Sequence, residues 1–371
     1  MPSAMSTTRK LVLHFDVNKT LIMCDPVKGW DMSKMVNALL SESCYGTYEP
    51  LPSLLDPASK SKLAATWSPV PPLQPSSQPR AGLITYSDFL EEKLQLPKKE
   101  KDALKSTFVD AGQVGQVFHS AYQDLLQCLQ LPSGVKLPWA PPAIQSGSYF
   151  MLPAFFRLLL NLRAQGRDFA LVFRTFGTDL PEVAEELEAF CTGSHPLYPG
   201  VRMDGTTDCP DYRLHTDMAF GEFFRDAHGV QLTMRGPTGT CLPVQGWAEV
   251  WRALDGMLSA GHRALGLRDY YPFWREQGES DTSGKLLLLD PSRTDVHHIF
   301  FDDNVQWEKL HIIDARDVTT GDPIPFVDVI DHWVVKAEPL EAIRDPDYFI
   351  KAVELCEANL NTCAICRGPV V

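Results

Sequence analysis

Three short apolar runs in this chain each end in a cluster of polar side chains, and two of the clusters carry carboxylates. The first run, Leu11–Phe15, is followed by Asp16, Val17, Asn18, Lys19 and Thr20. The second, Phe169–Phe173, is followed by Arg174, Thr175, Phe176, Gly177 and Thr178. The third ends at Phe301 and is followed by Asp302, Asp303 and Asn304. A lone carboxylate at a strand end is commonly a turn or cap residue. The Asp302–Asp303 pair says more, because adjacent like charges at a buried strand end repel unless a cation compensates them. Mg2+ suits such a pair, since it takes hard oxygen ligands from one or two carboxylates together with water and phosphate.

The elements that must position these clusters are legible as a strand–loop–helix order. Leu11–Phe15, Phe169–Phe173, Lys285–Leu289, Val296–Phe301 and Trp333–Lys336 read as strands. Helices are expected over 31–40, over 86–94 with Ser87 as cap, through 98–131, and over 150–164, 178–190, 245–260 and 345–360. This alternation predicts an α/β protein with a parallel sheet. In open sheets of that kind, ligands bind at the carboxyl ends of the strands, where all three clusters fall. Five prolines between Trp67 and Gly82 predict an irregular, polyproline-biased loop, and residues 195–240 give no clear periodicity.

Composition bounds the function. With 371 residues the chain exceeds one ordinary core, so two units are expected. The net charge of −13 argues against a general nucleic-acid binder, because no basic excess is left to neutralise phosphates. No apolar stretch approaches the ~20 residues that a membrane span requires, and no membrane partner is expected. Nine scattered cysteines predict reduced thiols and a cytoplasmic protein. The Cys363-x-x-Cys366 pair lacks a local fourth ligand for zinc and reads as two unpaired thiols. No His-Glu-x-x-His spacing occurs, and Gly284-Lys285 is not a P-loop, since Glu279 and Leu286 stand where Gly and Ser or Thr are required.

Taken in order, the clusters resemble the motifs of the haloacid dehalogenase superfamily of phosphohydrolases. In that family a strand runs into Asp-x-Asp-x-Thr, a second ends in Thr or Ser, a lysine follows, and a last strand ends in an acidic pair. The resemblance covers about residues 10–21, 148–190 and 284–305. It implies a Rossmann-like parallel sheet core flanked by helices, assembled from residues 1–23, 148–194 and 284–371. It also implies a mainly helical cap over 24–147 and a second, irregular insertion over 195–283. By the same resemblance Asp16 is the nucleophile that forms an aspartyl-phosphate. Thr175 binds a phosphoryl oxygen, with Thr178 as a weaker second choice. Mg2+ is held by Asp16, the backbone carbonyl of Asn18, Asp302 and Asp303. Lys285 is the candidate lysine, with Arg174 and Arg275 as fallbacks. The substrate implied is a small phosphorylated compound.

One position departs from the family. Asn18 stands where the phosphatases carry a second Asp that protonates the leaving oxygen and then activates water. An amide cannot exchange a proton in that way, and loss of a general acid–base costs roughly 10²–10⁴-fold. Three expectations remain open: a slow phosphatase using another base such as His14, His297 or His298, an enzyme that acts on a substrate with a good leaving group or transfers the phosphoryl group elsewhere, and a silent fold that binds a phosphorylated ligand or a protein partner.

Overall fold

The apolar run before Asp16 is the middle of a sheet. In the computed structural model, which describes residues 9–25, 28–50, 65–74, 78–140, 147–215, 220–234, 243–259 and 263–362, β1 (Lys10–Asp16) lies between β5 (Phe169–Thr175) and β11 (Val296–Asp302), parallel to both. Every residue of β5 is buried, as expected for an interior strand of a parallel sheet covered on both faces. Among the described residues the sheet has eight strands in the order β13 (Val334–Lys336), β11, β1, β5, β9 (Ala264–Arg268), β6 (Phe220–Asp226), β7 (Gly229–Met234) and β8 (Val244–Gln245). Pairings from β13 through β6 are parallel, and the last two are antiparallel. The architecture is mixed α/β with a mainly parallel central sheet flanked by helices.

Local chemistry sets the helix ends. Pro153 opens the helix Pro153–Ala164, where its missing N–H is not needed. Gly193, at φ 72°, closes the helix Leu180–Thr192 in the left-handed conformation that a Cβ disfavours. Asp31 caps the helix Met32–Ser43 by accepting from the Lys34 N–H at 2.9 Å. Aromatic packing then fixes β1 directly behind the first cluster. The Phe15 ring stacks on Phe301 at 4.8 Å and meets Phe155 and Phe349 edge-on at 5.2 and 5.4 Å.

Among the described residues two smaller sheets lie outside the central one. β2 (Tyr45–Pro50) pairs antiparallel with β3 (Ala65–Pro69) and β4 (Ile84–Thr85). β10 (Lys285–Leu289) pairs in parallel with β12 (Ile313–Asp317). β10 therefore supplies its lysine from beside the central sheet rather than from within its ladder.

Several expectations need correction. Residues 195–283 are not an irregular insertion, because β9 pairs in parallel with β5 and the β6–β7 hairpin extends the same sheet. The alternating burial of β6 is a half-buried strand pattern, but its Gly221 and charged residues obscured it. Within 24–147 the three-stranded sheet joins the helices, and Trp67–Pro69 belong to β3 rather than to a loop. Thr85, not Ser87, caps the turn that begins at Tyr86. The expected helical block 98–131 divides into Lys98–Lys105 and His119–Cys128, separated by turns and a 3-10 segment at Gln116–Phe118. Cys363 and Cys366 lie outside the described residues. The six described cysteines are free. No helix among the described residues is long and apolar enough to cross a membrane.

Candidate functional site

Strand register brings the three clusters to one edge. Asp16 and Arg174 are register partners across β1 and β5, and Phe15 and Phe301 across β1 and β11. Asp16, Thr175 and Asp302 are thus the last residues of three adjacent parallel strands. Asp16 and Asp302 are buried, and the Asp303 side chain is 6% exposed. One carboxylate oxygen from each of Asp16, Asp302 and Asp303 lies within 4.8 Å of the others.

Lys285 closes the cluster. Its Nζ donates to Asp16 Oδ1 and, at 2.7 Å, to Asp302 Oδ2. The preceding Gly284 makes this approach possible, since a Cβ there would collide with the Ile312 carbonyl oxygen, which accepts the Lys285 N–H at 2.6 Å. Burial opposes the ammonium charge, but Asp16 and Asp302 outweigh it and hold the Lys285 pKa above its ordinary value. Asp16 shows the converse balance. Burial lifts its carboxyl well above the usual range, Lys285 opposes that rise, and Asp302 and Asp303 add to it. For Asp303 burial again leads, with Lys19 opposing, and the carboxyl is pushed up to about 6.

The loop after β1 adds a second cation. Lys19 adopts φ 64°, a region that favours glycine. Its ammonium lies 2.9 Å from Glu42 on the helix Met32–Ser43 and 3.8 Å from Asp303. Glu42 also receives Lys105 at 2.5 Å, and the two lysines hold its carboxyl below the usual range against the opposing effect of burial. Residues 24–147 therefore reach the site through Glu42.

On the other side, the Thr175 hydroxyl accepts the Gly177 N–H at 2.8 Å. Asn18 donates its amide to Asp179 Oδ2 at 2.8 Å. A Cβ on Gly177 would fall 2.6 Å from that carboxylate and 3.2 Å from Thr175 Oγ1, so only glycine lets these groups gather around it. Asp179 is itself pushed up by burial, with the Asn18 bond opposing.

The expected residues Asp16, Lys285, Asp302 and Asp303 come together, and Thr175 and Asn18 gather beside them around Gly177. The fallbacks do not join them. Arg174 is consumed by Asp269, at 2.9 and 2.5 Å, and by the Leu286 carbonyl at 2.8 Å. Arg275 lies over the Tyr271 ring. Thr178 is exposed, and Asp179 holds the cap position of the next helix. His14 and His298 bond one another at 3.1 Å, while His297 bonds the His332 carbonyl at 2.7 Å. None of the three bonds a site residue.

Lys19, Glu42 and Asp179 escaped the sequence reading. Asp179 looks like an ordinary helix cap, and nothing local marks Glu42 as facing a strand end. Lys19 gave no signal either, since its positive φ is seen only in the structure.

The cluster fits a small divalent cation. Its oxygens are hard, three carboxylates converge, and Asp303 Oδ1 is buried with no hydrogen-bond partner among the described residues. Compared with protein-family models, with curated proteins and with solved structures, the chain finds no match.

Proposed function

We propose that this chain is a Mg2+-dependent phosphohydrolase of the haloacid dehalogenase type, acting on a small phosphorylated compound. The proposal includes a Rossmann-like reading of the central sheet, with residues 24–147 as its cap. The observation that carries it is the buried cluster of Asp16, Asp302 and Asp303 bridged by Lys285, at the carboxyl edge where such sheets bind ligands. Asp16, Asp302, Asp303 and the Asn18 carbonyl would hold the ion, which when bound would supply Lewis-acid charge for the phosphoryl oxygens.

In this reading Asp16 is the nucleophile. Lys285 engages its Oδ1, whereas Oδ2 has only a long 3.4 Å contact from Thr20, so Oδ2 attacks phosphorus. The ester P–O bond breaks, the alkoxide leaves with both bonding electrons, and an aspartyl-phosphate forms on Asp16. Water then cleaves that acyl phosphate, restoring the carboxylate and releasing inorganic phosphate. The alkoxide takes its proton from water. Thr175 accepts from Gly177, which leaves its hydroxyl proton free to bind a phosphoryl oxygen. Lys285 offsets charge that develops beside Asp16.

The test is hydrolysis of p-nitrophenyl phosphate with and without Mg2+, by wild type and Asp16→Ala. Mg2+-dependent turnover lost in the variant supports the reading; turnover that survives the substitution overturns it. A second reading is favoured by Asn18, whose amide is tied to Asp179 where proton transfer would occur. On that reading the chain binds a phosphorylated ligand or protein partner without turnover. Inorganic phosphate or vanadate would then raise the melting temperature while no phosphate ester is hydrolysed.

A further inference from the structure

Three residues in and beside the carboxylate cluster each break a local rule, and none has a local explanation. Lys19 holds φ 64°, which favours glycine, and its backbone is fixed there by an N–H bond to the Ile22 carbonyl at 2.9 Å. Glu42 lies in the last turn of the helix Met32–Ser43, where the helix dipole disfavours an anion. Asp303 has a side chain 6% exposed, and its Oδ1 has no hydrogen-bond partner among the described residues. Taken together, the three account for one another. The Lys19 ammonium donates to both Glu42 oxygens, at 3.0 Å to Oε1 and 2.9 Å to Oε2. Lys105, the last residue of the helix Lys98–Lys105, donates to Oε1 at 2.5 Å and helps to hold the same carboxylate. In this position Lys19 stands 3.8 Å from Asp303 Oδ2, beyond hydrogen-bond reach.

We infer that Glu42 is a positioning residue, which holds the Lys19 ammonium off Asp303 and so keeps the Asp303 carboxylate open to Mg2+. The inference rests on the metal site of the phosphohydrolase reading. It adds that residues 24–147 set the affinity of that site through Glu42. Lys19 has two ion-pair partners among the described residues, Glu42 and Asp303. Without the Glu42 charge, a buried ammonium that has lost one anion moves to the other. The flexible lysine stem needs to carry it only about 1 Å to make an ordinary charge-assisted bond to Asp303. There it competes with the cation for the same oxygens, where burial leaves the attraction little screened by salt. With Glu42 in place, Lys19 still offsets the Asp303 charge before a cation arrives, which gives its strained backbone a purpose.

The test is calorimetric titration of MgCl2 into the full chain, stripped of metal and held at one ionic strength. Wild type, Glu42→Gln, Lys19→Met and the double variant form a cycle. Glu42→Gln should bind Mg2+ about tenfold more weakly than wild type, a coupling of ordinary size for groups in one network. Lys19→Met should bind at least as tightly as wild type. Adding Glu42→Gln to Lys19→Met should then change Kd by less than about twofold, because no ammonium is left to be released. A Glu42 that served structure alone, or acted through its charge alone, would cost the same affinity in both backgrounds, and that result overturns the inference. Glu42→Gln binding as tightly as wild type overturns it as well. Should circular dichroism show Glu42→Gln to be unfolded, Glu42→Asp takes its place in the cycle, with the same pattern expected. That variant keeps the charge but draws the carboxylate back by one methylene. If wild type takes up no Mg2+, the metal-dependent reading fails and the inference falls with it. Binding by wild type that does not depend on Glu42 overturns the inference and leaves that reading standing.

Discussion

Asn18 donates its side-chain amide to Asp179 Oδ2 at 2.8 Å, so the residue that breaks the phosphatase pattern is bonded to a carboxylate. Replacing Asn18 with Asp would bring two carboxyls into contact, and they would share a proton, since both cannot ionise at that distance. A protonated carboxyl is what an alkoxide leaving group needs. Asn18→Asp should raise kcat for alkyl phosphates by ~10²-fold or more, with a much smaller gain for p-nitrophenyl phosphate. Steady-state kinetics on both ester types checks this. Equal gains on both would place the deficit elsewhere in the site.

Lys285 is the only cation hydrogen-bonded to Asp16 or Asp302 among the described residues. Removing one partner of a buried charge cluster leaves the others uncompensated, at a cost of roughly 3–5 kcal/mol. Lys285→Met should lose stability on that order in denaturant unfolding without divalent metal. Mg2+ should restore more stability to the variant than to wild type. A variant as stable as wild type in EDTA would contradict the bridging role.

Lys19 separates backbone strain from charge. A left-handed conformation costs a non-glycine residue about 1 kcal/mol relative to glycine. Lys19→Gly relieves that strain while removing the ammonium beside Glu42 and Asp303, whereas Lys19→Met removes the ammonium alone. Unfolding free energies should place the glycine variant ~1 kcal/mol above the methionine variant. No difference would mean that the loop relaxes.

Buried histidines predict acid sensitivity. Burial pulls His297 down to about 4, with the bond to the His332 carbonyl opposing, and pulls His298 down to about 3. An unfolded imidazole titrates near 6.5, so below that pH the unfolded chain binds more protons than the folded one. Their stabilising contribution is fully present above about pH 6.5 and falls as pH drops toward their folded values. His297→Gln keeps an amide donor for the carbonyl but cannot titrate. It should be less sensitive than wild type between about pH 6.5 and 5, by on the order of 2 kcal/mol. Chemical denaturation across that interval reads the difference.

Arg174 shows how a plausible site residue is resolved by packing. It follows an apolar run and precedes Thr175, which made it a fallback for the site cation. In the fold it is buried against Phe223 and Phe300, each ring 5.1 Å away, and bonded to Asp269. Its role is to fasten β5 to the Asp269 turn after β9 and to the Leu286 carbonyl of β10.

The chain by itself determined the strand ends, because apolar runs of five to seven residues and the polar residues that stop them are local properties. Asp16, Thr175 and Asp302 were legible for that reason, as was the α/β order. Residues 195–283 were not, because β9 is short and the β6–β7 hairpin shows its buried face only against the sheet. The tertiary structure alone decided which strands are neighbours, and hence that the three clusters share one edge. It also decided that Lys285 reaches Asp16 across 269 positions of chain, and that Glu42 meets Lys19. Register and packing between distant segments set those contacts, and no periodicity within a segment encodes its partner.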